Sequence, residues 1–274
     1  MRTRIPNRIA KYVLVALIAF SCLLPLAWMA IAGFKGKTEV LRTPFQFFPD
    51  VWILDNYIAI LGDQAFVRAL GVTFVGAVAF TALSLAINAL AAYVFARLDF
   101  AGKRFFWIYC LAPMFIPGMA ILLTSFVVVS QLGMIDTLWV LIIPGAASSL
   151  QMFFIRQFYL NIPVAMEEAA LLDGANRWQI FLRIFLPQSQ APFVIVGVAS
   201  YLVYWNAYVW PVLTISANQD LYQIMQLLRS FMSERSTEWG LLMAGSTIAA
   251  LPTIILVLVF QRYIVNGIRI AGMK

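Results

Sequence analysis

The sequence predicts an all-α integral membrane protein of six transmembrane helices, with a cytoplasmic helix–turn–helix between the fourth and the fifth, and three observations carry that expectation. The 274 residues are 63% hydrophobic and 11% charged, which leaves too little polar surface to cover a water-soluble fold of that size. Apolar runs recur along the chain, each long enough to cross a bilayer at about 1.5 Å per residue. Between the fourth and fifth runs lies the one long polar island of that half: Glu168-Ala169-Ala170-Leu171-Leu172-Asp173-Gly174 and, after nine residues, Ile184-Phe185-Leu186-Pro187.

Each element follows in order. Arg2, Arg4, Arg8 and Lys11 precede a first span at 12–33. It resembles a signal peptide down to Ala30-Ile31-Ala32, yet it exceeds the roughly 7–15 residues of a signal's apolar region, so an uncleaved helix is expected. Residues 34–66, with Pro44, Pro49 and Asp50, read as an exposed loop that sets Phe45, Phe47, Phe48 and Trp52 against the membrane surface. The second span, 67–96, is rich in Gly, Ala, Ser and Thr, residues that let helix backbones approach closely in a membrane. Arg97, Lys103 and Arg104 around Asp99 and Gly102 mark a cytoplasmic turn.

A third span, 105–130, holds Pro113 and Pro117 and should kink. Gly133 and Asp136 turn the chain into a fourth span, 138–158, which Pro144-Gly145 weakens midway. After the polar island at 161–187 comes the fifth span, 191–215, with Tyr201, Tyr204, Trp205, Asn206, Tyr208, Trp210 and then Pro211. Residues 216–238 are polar enough to lie outside, and the sixth span, 239–263, contains Pro252. The tail from Val265 returns to the cytoplasm. One membrane domain, 1–274, accounts for the chain, with no internal repeat.

Within the island, Asn161 can accept early N–H groups, Pro163 fits a first helical turn, and Glu167 and Glu168 sit where the helix dipole favours anions. Gly174 suits a left-handed stop, Asn176 can cap a second short helix through Trp178, Phe181 and Leu182, and Pro187 is expected to force Leu186 out of helical geometry. On periodicity alone this is a juxtamembrane amphipathic hairpin.

Charge sets the orientation. The net charge of +7 comes from basic residues scattered between apolar runs rather than massed on one patch, which speaks for membrane topology and against nucleic acid. Of the nineteen Lys and Arg, six (Lys35, Lys37, Arg42, Arg68, Arg229 and Arg235) fall outside and the other thirteen inside when both termini and the island are cytoplasmic.

Several chemistries lack their residues. There is no Gly-x-x-x-x-Gly-Lys-Ser/Thr run to cradle a nucleotide phosphate. The spans carry ionisable residues only near their ends, such as Arg68 and Arg156, which disfavours proton coupling. Histidine is absent and mid-span carboxylates are missing, so a hydrolytic centre has no base and no metal ligands. Cys22 and Cys110 lie inside apolar spans and read as small buried side chains.

The island's spacing, Glu-Ala-Ala, three residues, Gly, nine residues, Ile-x-Leu-Pro, resembles the cytoplasmic signature loop of ABC-importer permease subunits, and every signature position matches. Further stretches are similar to the carbohydrate branch of that family: Ala91-Ala92-Tyr93-Val94-Phe95-Ala96-Arg97 with Gly102-Lys103, Tyr204-Trp205-Asn206 with Pro211, and Gln261-Arg262-Tyr263-Ile264-Val265-Asn266-Gly267. The likeness is to the maltose-type second permease subunit, although Ala271-Gly272-Met273-Lys274 lacks that family's further glycine.

The resemblance implies the transmembrane subunit of an ATP-driven importer, half of a six-plus-six heterodimer in a bacterial cytoplasmic membrane. It implies a sister permease, an ATPase dimer that holds the ATP and Mg, and an extracytoplasmic solute-binding protein. It also implies a coupling surface on the ATPase formed by Glu167, Glu168, Ala169, Ala170, Asp173, Gly174, Ile184, Leu186 and Pro187. No catalytic residue, metal or cofactor is expected on this chain itself. The solute is a sugar or oligosaccharide, or in the alternative a polyol, glycerol phosphate or amino-acid derivative.

A sugar requires aromatic faces for its C–H surfaces and amide or hydroxyl groups for its hydroxyls. Tyr201, Trp205 and Tyr208 recur at four and three residues and so share a helix face, with Asn206 beside it and Tyr204 nearby. The same stripe serves equally as packing or as an interfacial belt. Asn88 is a polar anomaly in the second span, explained either by the path or by an interhelical hydrogen bond.

Overall fold

The computed structural model describes the backbone of residues 5–232 and 238–271, and the side chains of 10–232 and 238–263. Arg2, Arg4 and the end of the tail, Gly272-Met273-Lys274, lie outside the described residues. Every regular element among them is helical. Three helices are unbroken and apolar over a membrane-crossing length: α1 (Ile5–Ala32), α3 (Gln64–Arg97), and the last helix, Trp239–Ala271.

The other expected spans are broken rather than continuous. The 105–130 run divides into α4 (Lys103–Leu111), a 3-10 turn at Ala112–Phe115, and α5 (Gly118–Gln131), and the chain bends there by 108°. Pro113 and Pro117 each remove a backbone donor, so the expected kink becomes a corner. The 138–158 run divides into α6 (Leu138–Ile142) and α7 (Ser149–Leu160) across Pro144 and Gly145, whose φ is +84°. The 191–215 run divides into α10 (Gln190–Trp205) and α11 (Val209–Thr214). Among the described residues three helices alone therefore meet a spanning length, or up to five if two sharply bent pairs, Lys103–Phe115 with Gly118–Gln131 and Arg177–Gln188 with Gln190–Trp205, each count as one.

Contacts divide the chain into two compact units. One comprises residues 1–68 and 227–252. In it, residues 34–66 are not the plain loop expected, because α2 (Asp55–Gly62) forms within them. The Asn56 side chain donates to the Gly33 and Lys35 carbonyls at 2.9 Å each, and Tyr57 Oη donates to the Ala30 carbonyl at 2.7 Å. Gly240 is required there, since a Cβ would stand 2.5 Å from Asn56 and 2.7 Å from the Lys35 carbonyl. Phe45, Phe48 and Trp52 remain exposed.

The other unit comprises residues 69–226 and 253–274 and holds the main buried cluster. Tyr93 and Phe95 of α3, Met152, Ile155 and Tyr159 of α7, Ile180, Phe181 and Phe185 beyond the signature, and Val196 of α10 pack together there. The break at Pro144-Gly145 survives because Asn88 satisfies its freed backbone. Asn88 Nδ2 donates to the Ala146 carbonyl at 2.9 Å, and Asn88 Oδ1 accepts the Ser148 N–H at 2.9 Å. Unpaired backbone groups inside a bilayer cost several kcal/mol, so a helix can break at depth only beside such a partner. Gln151 extends the link, accepting from Ser84 Oγ at 2.7 Å and donating to Ser200 Oγ at 2.9 Å, which joins α3, α7 and α10.

Candidate functional site

The polar island folds as two helices around a tight turn. Helix α8 spans Val164–Leu172, entered from Pro163, which lacks a side-chain cap; Asn161 is not the N-cap, and its amide donates back to the Gln157 carbonyl instead. Gly174 adopts φ +83° and ends the helix, as its missing Cβ allows. Asn176 and Gln179 then form a reciprocal capping box, and α9 follows over Arg177–Gln188.

One expectation fails here. Leu186 remains helical, at φ −60° and ψ −50°, despite preceding Pro187. A π turn over Phe181–Phe185 carries the Leu186 N–H to the Phe181 carbonyl five residues back, and the wider turn accommodates the proline ring. The chain bends by 80° only afterwards, between Gln188 and α10.

The hairpin is pinned to the helical body by charge. Glu167 is buried and pairs with two cations: Arg97 Nε lies 3.8 Å from Oε2, and Arg177 Nη1 donates to Oε1. Side chains of Arg97 and Glu167 are each only 7% exposed. Arg97 Nη2 also donates to the Tyr159 carbonyl at 2.7 Å and to the Ile162 carbonyl, while its guanidinium lies 5.2 Å from the centre of the Phe185 ring. Tyr93 Oη donates to the Arg177 carbonyl at 3.3 Å. Two cations around one buried carboxylate are tolerable because carbonyl oxygens and an aromatic face absorb the surplus positive charge.

The remaining signature residues divide by burial. Ala170 and Ile184 pack against the core, whereas Glu168, Ala169, Asp173, Gly174, Leu186 and Pro187 are exposed. Large apolar side chains surround them in the open: Leu172 is 90% exposed and Trp178 56%, with Met166, Leu171 and Leu182 close to 40%. Sequence reading takes Arg97 only as the mark of a cytoplasmic turn and assigns no role to Arg177. The available clue is a lone Arg closing a long apolar run, which needs a counter-charge that only the fold supplies.

The proposed path residues do not share one helix face. Tyr201 and Trp205 of α10 stack at 5.4 Å with 16° between their planes, both buried. Helix α10 ends at Trp205, however, so Asn206 is its C-cap, exposed, with Nδ2 donating to the Leu202 carbonyl at 2.8 Å. Tyr208 follows at φ −129° and ψ −55°, off the helical path, as the N-cap from which α11 starts at Val209. Tyr204 is buried against α3, where a Cβ on Gly76 would stand 2.0 Å from its hydroxyl oxygen. Asn88 is buried and engaged at the helix break described above.

Long apolar helices, broken spans with internally satisfied backbone, and an exposed hairpin fixed by buried charge are those of a multi-pass membrane protein. Residues 84–270 match the family described as the inner membrane component of binding-protein-dependent transport systems, and the chain belongs to that family. It is 33% identical over 256 residues to a probable ABC transporter permease protein, YurM, of Bacillus subtilis, covering 91% of this chain and 83% of that one. It is 29% identical over 262 residues to the arabinooligosaccharides transport system permease protein AraQ of Halalkalibacterium halodurans, covering 94% of each. Its fold matches a chain in the crystal structure of a bacterial ABC transporter involved in the import of the acidic polysaccharide alginate. That match has a TM-score of 0.83 at 21% identity and covers 96% of this chain and 99% of the other.

Proposed function

We propose that this chain is the transmembrane subunit of an ATP-driven importer and forms half of the translocation path for a sugar or oligosaccharide. The observation that carries the reading is the complete signature, folded as an exposed apolar hairpin and anchored by the buried Glu167 between Arg97 and Arg177. An apolar surface left open on a rigidly held element suits a cleft on a partner. That partner is an ATPase subunit, one of a pair holding ATP and Mg; its closure moves the hairpin as a lever and drives alternating access. A sister permease completes the path, and an extracytoplasmic binding protein delivers the solute.

Six crossings are supported by counting each broken run as one: α1, α3, α4 with α5, α6 with α7, α10 with α11, and the last helix. Both termini and the hairpin then face the cytoplasm of a bacterial cell, as one membrane domain. Carbohydrate relatives such as AraQ support the solute class. The chain itself holds no catalytic centre, the hydrolysis being the partner's.

The test is the ATPase rate of the purified complex in lipid nanodiscs against a panel of loaded binding proteins. Stimulation by one loaded with a neutral sugar is the expected result. Stimulation only by a binding protein carrying glycerol phosphate or an amino-acid derivative would move the chain to another solute.

A further inference from the structure

The segment after α11 crosses unit two as a strap, residues 215–223, and is tied at both ends. At its start, one carboxylate oxygen of Asp136 accepts three consecutive backbone N–H groups: Ser216 at 2.7 Å, Ala217 at 3.0 Å and Asn218 at 3.2 Å. The Asp136 N–H donates in turn to the Thr214 carbonyl at 2.9 Å. Asp136 adopts φ +56°, a conformation that side chains other than those of Gly, Asn and Asp rarely tolerate, so the turn is shaped around this clasp. At its far end, Thr73 Oγ1 of α3 accepts the Ile224 N–H at 2.8 Å, and Gln226 Nε2 donates back to the Ile215 carbonyl at 2.9 Å.

The strap's last residue faces inward. Gln223 is 1% exposed, and neither its carboxamide oxygen nor its nitrogen makes a hydrogen bond of normal geometry. Its polar neighbour is the Tyr204 hydroxyl, equally buried, and the two interact side chain to side chain without reaching good hydrogen-bond geometry. Buried polar groups that share one poor hydrogen bond leave most of their donors and acceptors unmet, at a cost that a second state could relieve. The clasp and this under-satisfied pair are independent of each other, and both concern one segment.

We propose that residues 215–223 are a strap latched by Asp136, which here covers the Tyr204–Gln223 pair and on lifting presents their hydroxyl and carboxamide to a neutral polyhydroxy solute. The solute class rests on the importer reading above; the latch does not. The chemistry of the pair fits: a phenol and a primary amide both donate and accept, and neither adds a fixed charge. Asp136 suits a latch because it is only half-buried and its three bonds are open to solvent, so water competes with them and the strap can be released.

Hydrogen–deuterium exchange on the assembled complex in nanodiscs tests the latch. Asp136→Ala and Asp136→Gly should each raise exchange across 215–224 by about tenfold, the glycine variant showing that the carboxylate and not the backbone angle holds the strap. Asp136→Asn, which keeps the turn and one neutral acceptor, should fall between and serves if the alanine variant fails to insert. Unchanged exchange in these variants, or a rise spread evenly over the chain, overturns the latch.

The solute half is tested by labelling Leu221→Cys, on the strap beside Gln223, in the Asp136→Asn background, with Cys22 and Cys110 replaced by Ser, using an impermeant thiol reagent. Labelling should speed up on release, and maltose or lactose should slow it. Protection by glycerol 3-phosphate alone, or by none of the three, overturns the solute class. Failure of the importer reading would show separately, as an ATPase rate indifferent to every loaded binding protein, with the exchange result untouched.

Discussion

The hairpin at 161–188 and the strap at 215–223 belong to the same compact unit and are both fastened by a carboxylate, but in opposite ways. Glu167 is buried, and its partners are the side chains of Arg97 and Arg177, which stand on other helical segments. Asp136 is half-buried with its bonds open to solvent, and its partners are backbone N–H groups of one short segment. Removing a buried carboxylate strands charge in a low-dielectric site, whereas water replaces an exposed one readily. The first device thus holds an element rigid against load, and the second holds an element that can let go. A lever needs the one and a cover needs the other.

Breaking the buried fastening should have the largest effect. Glu167→Ala leaves Arg97 and Arg177 without their counter-charge, and losing one partner of a buried pair typically costs roughly 3–5 kcal/mol. The thermal midpoint of the purified chain should drop, with faster exchange across 163–188, and uptake should be lost. A midpoint equal to that of the parent would show that the pairs do not anchor the hairpin.

Altering the hairpin's turn should have a smaller effect on stability and a clear one on coupling. Gly174 has φ +83° and open space around it, so Gly174→Val meets no neighbour but forces a β-branched residue into a left-handed conformation at about 1–2 kcal/mol. The variant should insert and remain folded, yet its complex should hydrolyse ATP without uptake. Normal uptake by a well-expressed variant would separate the turn from force transmission.

The smallest effect belongs to pH at the exposed clasp. The Asn218 N–H foremost, joined by those of Ser216 and Ala217, holds the Asp136 carboxyl below its ordinary 3.8 against slight desolvation. A depressed carboxyl stabilises the fold above its unfolded value, and that contribution disappears as pH falls through the lower folded value. The thermal midpoints of the parent and Asp136→Asn should therefore differ at pH 6 and converge below pH 3.8. Curves that stay parallel to pH 3 would mean that ionised Asp136 contributes nothing to the strap.

Much of the local structure was legible. Pro163, Gly174 and Asn176 each act on backbone within a few residues, and each marks its helix end where the structure has it. The same local logic went wrong at Leu186, because a π turn depends on how Phe181 and Phe185 pack into the core and not on Pro187 alone. It also went wrong at Tyr208, where helical spacing was extended past the residue at which the helix stops.

Apolar length, charge asymmetry and the signature spacing determined that this is a membrane helix protein with a polar hairpin, since span length and helix caps depend on neighbours in sequence. Tertiary structure alone decided where the spans break and what holds the hairpin. Asn88 mends a break some 60 residues away, and Glu167 meets Arg97 from the end of another helix. Such pairings depend on which faces of distant helices come together, and neither spacing nor composition encodes a distance across the bundle.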